Sequence, residues 1–191
     1  MARPALPPAT RRSHEERVYL SAIEVSRLDK RRGDLTRSEY LAAPVRVPYD
    51  LRGLTIQQPW ASLVVQGRKP WENRPRDPGI RPGGQWVAIH AGLDLHPAAA
   101  QARVLAPDLD LTDAPRGAIL GLAWLAPAVP LADVATDLAW AKGPVCLPVT
   151  HAVAFETPIP CHGMLGLWRV IRRPQGPAIV AQIEAMVGPL G

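Results

Sequence analysis

The chain has little cysteine, and this limits the kinds of site it can form. Only two cysteines, Cys146 and Cys161, occur among 191 residues. Two cysteines cannot make a disulfide framework, and these two lack the paired C-x-x-C spacing of a structural zinc site. We therefore expect no bound metal, no cofactor and a reducing, cytoplasmic setting.

Long hydrophobic runs are also missing. Hydrophobic residues make up 47% of the chain, which is enough for a core. Charges, prolines and glycines interrupt every apolar segment before it reaches the roughly 18 residues of a membrane span. The arginines near the N-terminus are not followed by an apolar stretch, so the sequence predicts no secretory signal and no membrane partner.

Lysine is also scarce, although the chain is basic. The only lysines are Lys30, Lys69 and Lys142, whereas lysine and arginine together number 22. The net charge of +5 and the pI of about 9.8 permit a polyanionic partner such as nucleic acid. A lysine inside a dense polar segment of so arginine-rich a chain points to a role for the amine itself.

That segment is 67–74, GRKPWENR, which reads G-x-K-x-x-E-x-R. Pro59 suits the first position of a helix and Gly67 suits the position after its end, so a helix is predicted over 59–66. Pro70 and Pro75 exclude helix between them, which predicts a strand over 71–74. On a strand, Glu72 and Arg74 would point to the same face.

The rest of the main domain is predicted to consist of short strands interleaved with short helices. On the strand predicted at 85–91, Trp86, Ala88 and His90 share one face, and Val87, Ile89 and Ala91 share the other. This pattern predicts an α+β fold with a small curved sheet or barrel. Further strands are predicted at 54–56, 118–125, 147–155 and 164–171, and helices at 97–105 and 178–187.

With these segments in view, the main domain resembles the ASCH family, whose fold is PUA-like. The matching segments are LTIQQPWA at 54–61, the G-x-K-x-x-E-x-R motif, VAIHA at 87–91 and PCHGMLGLW at 160–168. The resemblance spans about residues 52–171. It implies a small PUA-like β-barrel with short helices, a cleft beside the motif, and a ligand that is RNA or nucleotide-like.

The resemblance leaves open whether the chain is an enzyme. Some relatives are nucleases, and one is an amidohydrolase that deacetylates N-acetylcytidine. There, the motif lysine works beside a nucleophilic threonine three residues later, whereas this chain has Glu72 at that position. A hydrolase or ribonuclease would have to use Lys69 and Glu72 as an acid–base pair with an activated water.

The N-terminal residues are expected to differ from the main domain. A disordered tail is predicted at 1–14, and residues 15–48 weakly resemble a ribbon-helix-helix unit, a kind of dimeric DNA-binding module. This resemblance predicts a mostly helical unit, although Pro44 would end its second helix early. The ASCH domain is predicted at 51–173 and a C-terminal helix at 174–191.

The candidate ligand-binding residues surround the motif, and each has a structural alternative. Gln58 could cap the helix, Trp60 could fill the core, Glu72 and Arg74 could form a structural ion pair, and His90 could be an interior histidine. Lys69 and Glu72 are also the candidate catalytic pair. The full predicted set is Gln57, Gln58, Trp60, Gly67, Lys69, Glu72, Arg74 and His90.

These residues predict a protein that binds RNA or a nucleotide. One base, which could be a modified one, would lie in the cleft beside the motif, with glutamines and Trp60 able to contact it. The alternatives are a hydrolase on modified nucleosides or a ribonuclease, and a regulator that binds DNA through the N-terminal unit.

Overall fold

The structure is a computed structural model that describes residues 51–108, 113–171 and 174–187. The predicted tail at 1–14 and the ribbon-helix-helix segment at 15–48 lie outside these residues and stay predictions. Within the described residues the order of elements is as follows: β1 Arg52–Gln58, α1 Trp60–Val65, β2 Trp71–Arg74, β3 Gln85–Leu95, α2 Ala99–Leu105, β4 Ala118–Leu125, β5 Val129–Pro130, a 3-10 turn Leu131–Asp133, β6 Val145–Pro160, β7 Leu167–Arg169 and α3 Gly176–Val187.

Seven strands form the sheet, in the order β2-β6-β4-β3-β1-β7, with β5 also paired to β6. Only β1 and β3 run parallel; the other paired strands in the described part of the chain are antiparallel. The long strand β6 links the sheet, because its first residues pair with β2 and β5 and its later residues pair with β4. The predicted α+β class is confirmed.

The sheet buries apolar side chains on both faces, as the alternation in β3 predicts. Val87, Ile89 and Ala91 join one hydrophobic cluster, which includes α1 residues such as Val64. Trp86 and Ala88 join a second cluster, which includes α3 residues such as Ile179. The helices α1 and α3 thus pack against opposite faces, and the C-terminal helix covers part of the core.

Gly67 lies just after the end of α1 as predicted, whereas Pro59 lies one position before the first helical residue that it was predicted to occupy. Gly67 has a φ of +68°. The backbone N–H of Gly67 donates to the carbonyl of Val64 at 2.9 Å, which closes the last turn. The chain therefore reverses immediately before Lys69.

Several element boundaries differ from the sequence prediction, most clearly in β3, β6 and β7. Strand β3 continues to Leu95, because the ladder with β1 extends as far as the pair Gln58 and Leu95. Strand β6 covers 145–160 because it pairs with different neighbours along its length. The predicted strand at 164–171 is reduced to Leu167–Arg169, since Gly166 has a φ of +67° that ends the extended conformation.

None of the helices in the described residues is both long and apolar enough to cross a bilayer.

Candidate functional site

A large open cavity lies where the motif, β1 and the end of β3 meet. Its volume is about 1080 Å³. The lining residues come from several parts of the fold. Those with polar or aromatic side chains are Thr55, Gln57, Trp60, Lys69, Glu72, Asn73, Arg74, His90, Asp94, His96, Gln101, Trp140, Lys142, Cys161, His162 and Gln175. Six of the eight predicted ligand-binding residues are therefore brought together here.

Lys69 is held in the base of this cavity by two hydrogen bonds. Its Nζ donates to Oε2 of Glu72 at 2.6 Å and to the backbone carbonyl of Trp71 at 2.7 Å. The residue is only 3% exposed. The turn after α1 directs it inward, because the backbone N–H groups of Arg68 and Lys69 both donate to the carbonyl of Leu63. An ammonium group has three N–H donors, so one of them is left for a ligand.

Glu72 lies between two cations. Its Oε2 accepts from Lys69, and its Oε1 lies 3.4 Å from Nη1 of Arg74. Arg74 also donates to the carbonyl of Thr55 at 3.2 Å, which links β2 to β1. We call Lys69, Glu72 and Arg74 the polar floor; it holds two positive charges and one negative charge.

Glu72 forms the predicted ion pair with Arg74 and also lines the cavity. The predicted ion pair with Arg74 exists, but the shorter and more buried contact is with Lys69. The side chains of Lys69 and Glu72 are 3% and 4% exposed, whereas that of Arg74 is 22% exposed. Removing two charges from water is costly, so this arrangement is weak evidence for a stabilising role and better evidence for a site.

Trp60 forms a wall of the cavity and also packs on the core. It is partly buried and lies against two of the hydrophobic clusters. The Nζ of Lys69 lies 5.8 Å from the centre of its ring, within the range of a cation–π contact. His96 meets the same ring edge-on at 6.0 Å between centroids. Core packing and ligand contact are therefore compatible for this residue.

The two predicted glutamines lie in different environments. Gln57 lines the cavity, whereas Gln58 is fully buried outside it. The Gln58 amide donates to Ser62 Oγ and to the carbonyl of Pro115, and its Oε1 accepts from the backbone N–H of Ser62 in the first turn of α1. These bonds use the amide to hold the helix start, which matches the structural alternative for Gln58.

Gly67 also lies outside the cavity lining, because its place is the turn that ends α1. Its contribution to the site is indirect, since its positive φ lets the chain reverse and bring Lys69 back toward β2.

His90 lies at the cavity wall with one ring nitrogen bonded and the other not. Nε2 lies 3.0 Å from the carbonyl of Cys161, so it carries the proton and donates. Nδ1 is buried and has no hydrogen-bond partner among the described residues. Gly163 passes directly over it, because a Cβ on Gly163 would collide with this nitrogen. Burial lowers the pKa of His90 below its usual 6.5, which favours the neutral ring.

Asn73 and Lys142 are two of the cavity residues that were not predicted as site residues. Asn73, between Glu72 and Arg74 of the motif, bonds to the segment that carries Trp140 and Lys142. Lys142 itself lines the cavity. The scarcity of lysine in this chain was the sequence signal that could have pointed to Lys142. No local pattern identifies the partners of Asn73.

No group of three or more His, Cys, Asp or Glu side chains in the described ranges is arranged to hold a metal ion. Cys146 is buried and Cys161 is partly buried.

Comparison with known proteins finds a family match over part of the residues that carry this site. Residues 54–126 match the family model of the ASCH domain. The match includes β1, α1, the whole polar floor, β3 and β4, and with the seven-stranded α+β sheet it is consistent with the PUA-like barrel expected of that family. The ASCH prediction is confirmed for these residues. The comparisons give no support to the ribbon-helix-helix resemblance.

Solved structures that match the chain include an ASCH protein from Zymomonas mobilis and its serine-to-alanine mutant. The mutant aligns with a TM-score of 0.43 and 12% identity, covering 71% of this chain and 96% of that chain. The parent protein aligns with a TM-score of 0.42 and 12% identity, covering 70% and 95%. A likeness of this degree says nothing about ligand or activity. No curated protein matches the sequence.

The buried pair predicts an unequal response to single and double substitution. We expect Glu72→Gln to lower the free energy of unfolding by about 3 kcal/mol, because it leaves the Lys69 ammonium buried without a countercharge. The double variant Lys69→Met with Glu72→Leu should recover most of this loss. Urea denaturation measures both, with the exposed Glu156→Gln as control. A Glu72→Gln variant as stable as the control would contradict the prediction.

The environment of His90 predicts a pH-dependent stability. The unfolded chain takes up a proton near about pH 6.5, whereas the folded protein does so only at lower pH. Stability should therefore fall as the pH drops through about 6.5. Urea denaturation at about pH 7.5 and about pH 5.5 should show a smaller fall for His90→Gln than for the wild type. His162→Gln, which removes an exposed histidine, should keep most of the fall; equal pH dependence in wild type and His90→Gln would refute the assignment.

Proposed function

We propose that this protein binds RNA or a nucleotide and holds one base in the cavity against the polar floor. The observation that carries the proposal is the placement of Lys69 and Arg74, both paired to Glu72, at the base of a cavity of about 1080 Å³ with Trp60 at its wall. Apolar walls around a few convergent polar groups are typical of ligand sites.

The polar floor suits the hydrogen-bonding edge of a base. Glu72 retains lone pairs that can accept from an amino or imino group. The remaining N–H donors of Lys69 and Arg74 can meet a ring carbonyl or a phosphate oxygen. Because donors and an acceptor stand side by side, a base edge that carries both kinds of group would be satisfied here.

Trp60 provides the apolar half of the same site. Base–aromatic stacking contributes about 1–3 kcal/mol per base and is the usual way in which proteins hold unpaired bases. The indole is partly buried in two clusters, so its orientation is set before the ligand arrives. A fixed ring loses little entropy on binding.

The charge of the protein and the family match favour the same ligand class. The polar floor has one excess positive charge, and the chain carries a net charge of +5. Both attract phosphate. The ASCH match adds support, because RNA binding is the general role of that family.

Binding should depend on Trp60 and Arg74. We expect Trp60→Leu and Arg74→Gln each to weaken binding of a short single-stranded RNA about tenfold or more, through lost stacking and a lost charge-assisted bond respectively. Fluorescence anisotropy with a labelled oligonucleotide measures the affinity. Leucine keeps the apolar contact with the core.

The matched control is Arg68→Gln, which removes the same charge six residues earlier. Arg68 is bonded to Asp108 and does not line the cavity. Its variant should bind RNA nearly as the wild type does. Wild-type affinity in both the Trp60 and the Arg74 variants would reject the cavity as the binding site.

A hydrolase is the second candidate, because the 2.6 Å bond between Lys69 Nζ and Glu72 Oε2 joins a potential acid to a potential base. An activated water would replace the threonine nucleophile that the chain lacks. The substrates would be a modified nucleoside such as N-acetylcytidine, or single-stranded RNA.

Turnover separates this candidate from simple binding. Acetate release from N-acetylcytidine and fragment release from single-stranded RNA are the two assays. If the pair is catalytic, we expect activity that falls at least about a hundredfold in Glu72→Gln, the usual scale for loss of a general base. Absence of turnover in the wild type, or turnover that survives the substitution in a folded variant, would dismiss the hydrolase.

A further inference from the structure

We propose that the cavity selects a phosphorylated nucleoside over a free one, because Lys142 binds its phosphate. The inference rests on the proposed function and names the ligand class of the same site. It depends on the segment 136–143, which we call the Trp140 segment; it lies between the 3-10 turn and β6.

Strand β2 attaches the Trp140 segment to the cavity. Asn73 Nδ2 donates to the carbonyl of Trp140 at 2.8 Å, and Asn73 Oδ1 accepts from the backbone N–H groups of Lys142 at 2.9 Å and Gly143 at 3.2 Å. Trp71 Nε1 donates to the carbonyl of Thr136 at 3.2 Å. The two residues of β2 that flank Glu72 thus bond to the Trp140 segment, while Glu72 and Arg74 build the polar floor.

The Trp140 segment also packs closely against β2. A Cβ on Gly143 would lie 3.1 Å from the backbone nitrogen of Arg74 and 3.1 Å from Cβ of Asn73, so the segment packs directly on the β2 backbone there. Cys146 Sγ approaches Asn73 Oδ1 at 3.6 Å, which adds a fourth contact to the same amide. The backbone at Lys142 is therefore fixed relative to the polar floor.

Lys142 brings an uncommitted charge to the cavity. Its side chain is exposed and lines the cavity, and it makes no ion pair with any residue that the structure describes. By contrast, Lys69 and Arg74 share the carboxylate of Glu72. An exposed ammonium near a bound base is well placed to meet a phosphate, since it loses no existing partner when it binds.

These positions assign different parts of the ligand to different residues. The polar floor and Trp60 contact the base, and Lys142 contacts the phosphate attached to the same nucleoside. Asn73 acts as a positioning residue, because it fixes the backbone of Lys142 without needing to touch the ligand. A free nucleoside would leave Lys142 unused.

Calorimetric titration of ribonucleosides and of their 5′- and 3′-monophosphates tests the assignment on the full chain. We expect a monophosphate to bind the wild type about tenfold more tightly than its nucleoside, as one charge-assisted contact provides. In Lys142→Ala this preference should fall to about one, with nucleoside affinity unchanged. Lys142→Arg should keep the preference.

Two further variants complete the design. Asn73→Ala should also reduce the preference for the monophosphate, whereas a purely structural loss would weaken both ligands equally. Arg76→Ala removes one exposed positive charge outside the cavity lining and should leave the preference intact.

The outcomes distinguish this assignment from the proposed function. Equal binding of nucleoside and monophosphate to the wild type, or an undiminished preference in Lys142→Ala, would overturn the phosphate site while leaving base binding in place. RNA binding without any mononucleotide binding would overturn it as well. If neither RNA nor any of the small ligands binds, the proposed function fails too.

Discussion

The ion pair between Lys69 and Glu72 is the interaction on which the site depends. It joins the turn after α1 to β2 with a hydrogen bond of 2.6 Å between two side chains that are almost completely buried. Arg74 adds a second cation to the same carboxylate, and Trp60 lies over the lysine. Because buried charges must be partnered, these contacts fix the geometry of the cavity base and leave it one excess positive charge.

Strand β2 is short, yet it organises both halves of the cavity. Glu72 and Arg74 form the polar floor, whereas Trp71 and Asn73 hold the Trp140 segment. This two-sided use follows from the alternation of side chains along a strand. This arrangement supports the proposal that the ligand is a nucleotide, which has a polar, planar part and an anionic part.

The local conformation around the motif could be predicted from sequence because single residues constrain it. Proline fixes φ at the start of α1, and Gly67 adopts the positive φ that ends it. The two faces of β3 could be predicted for a similar reason, since both are buried in separate clusters and the apolar pattern shows each. The order of the ASCH segments then indicated the fold.

Partners across the fold could not be predicted in the same way. Glu72 lies closer to Lys69 than to Arg74 because of the way in which the turn after α1 approaches β2. The four contacts of Asn73 come from residues about seventy positions later in the chain. Gln58 reads as a ligand-binding residue beside Gln57, but its amide faces Ser62 and Pro115 instead. Such outcomes follow from tertiary packing, which leaves no local sequence signal.

The most direct test of the account is a crystal structure of the protein with a bound ribonucleoside monophosphate. The account predicts the base against the ring of Trp60, with its polar edge within hydrogen-bond distance of Glu72. A nucleotide that is bound elsewhere on the protein, without contact to the polar floor or to Trp60, would contradict it.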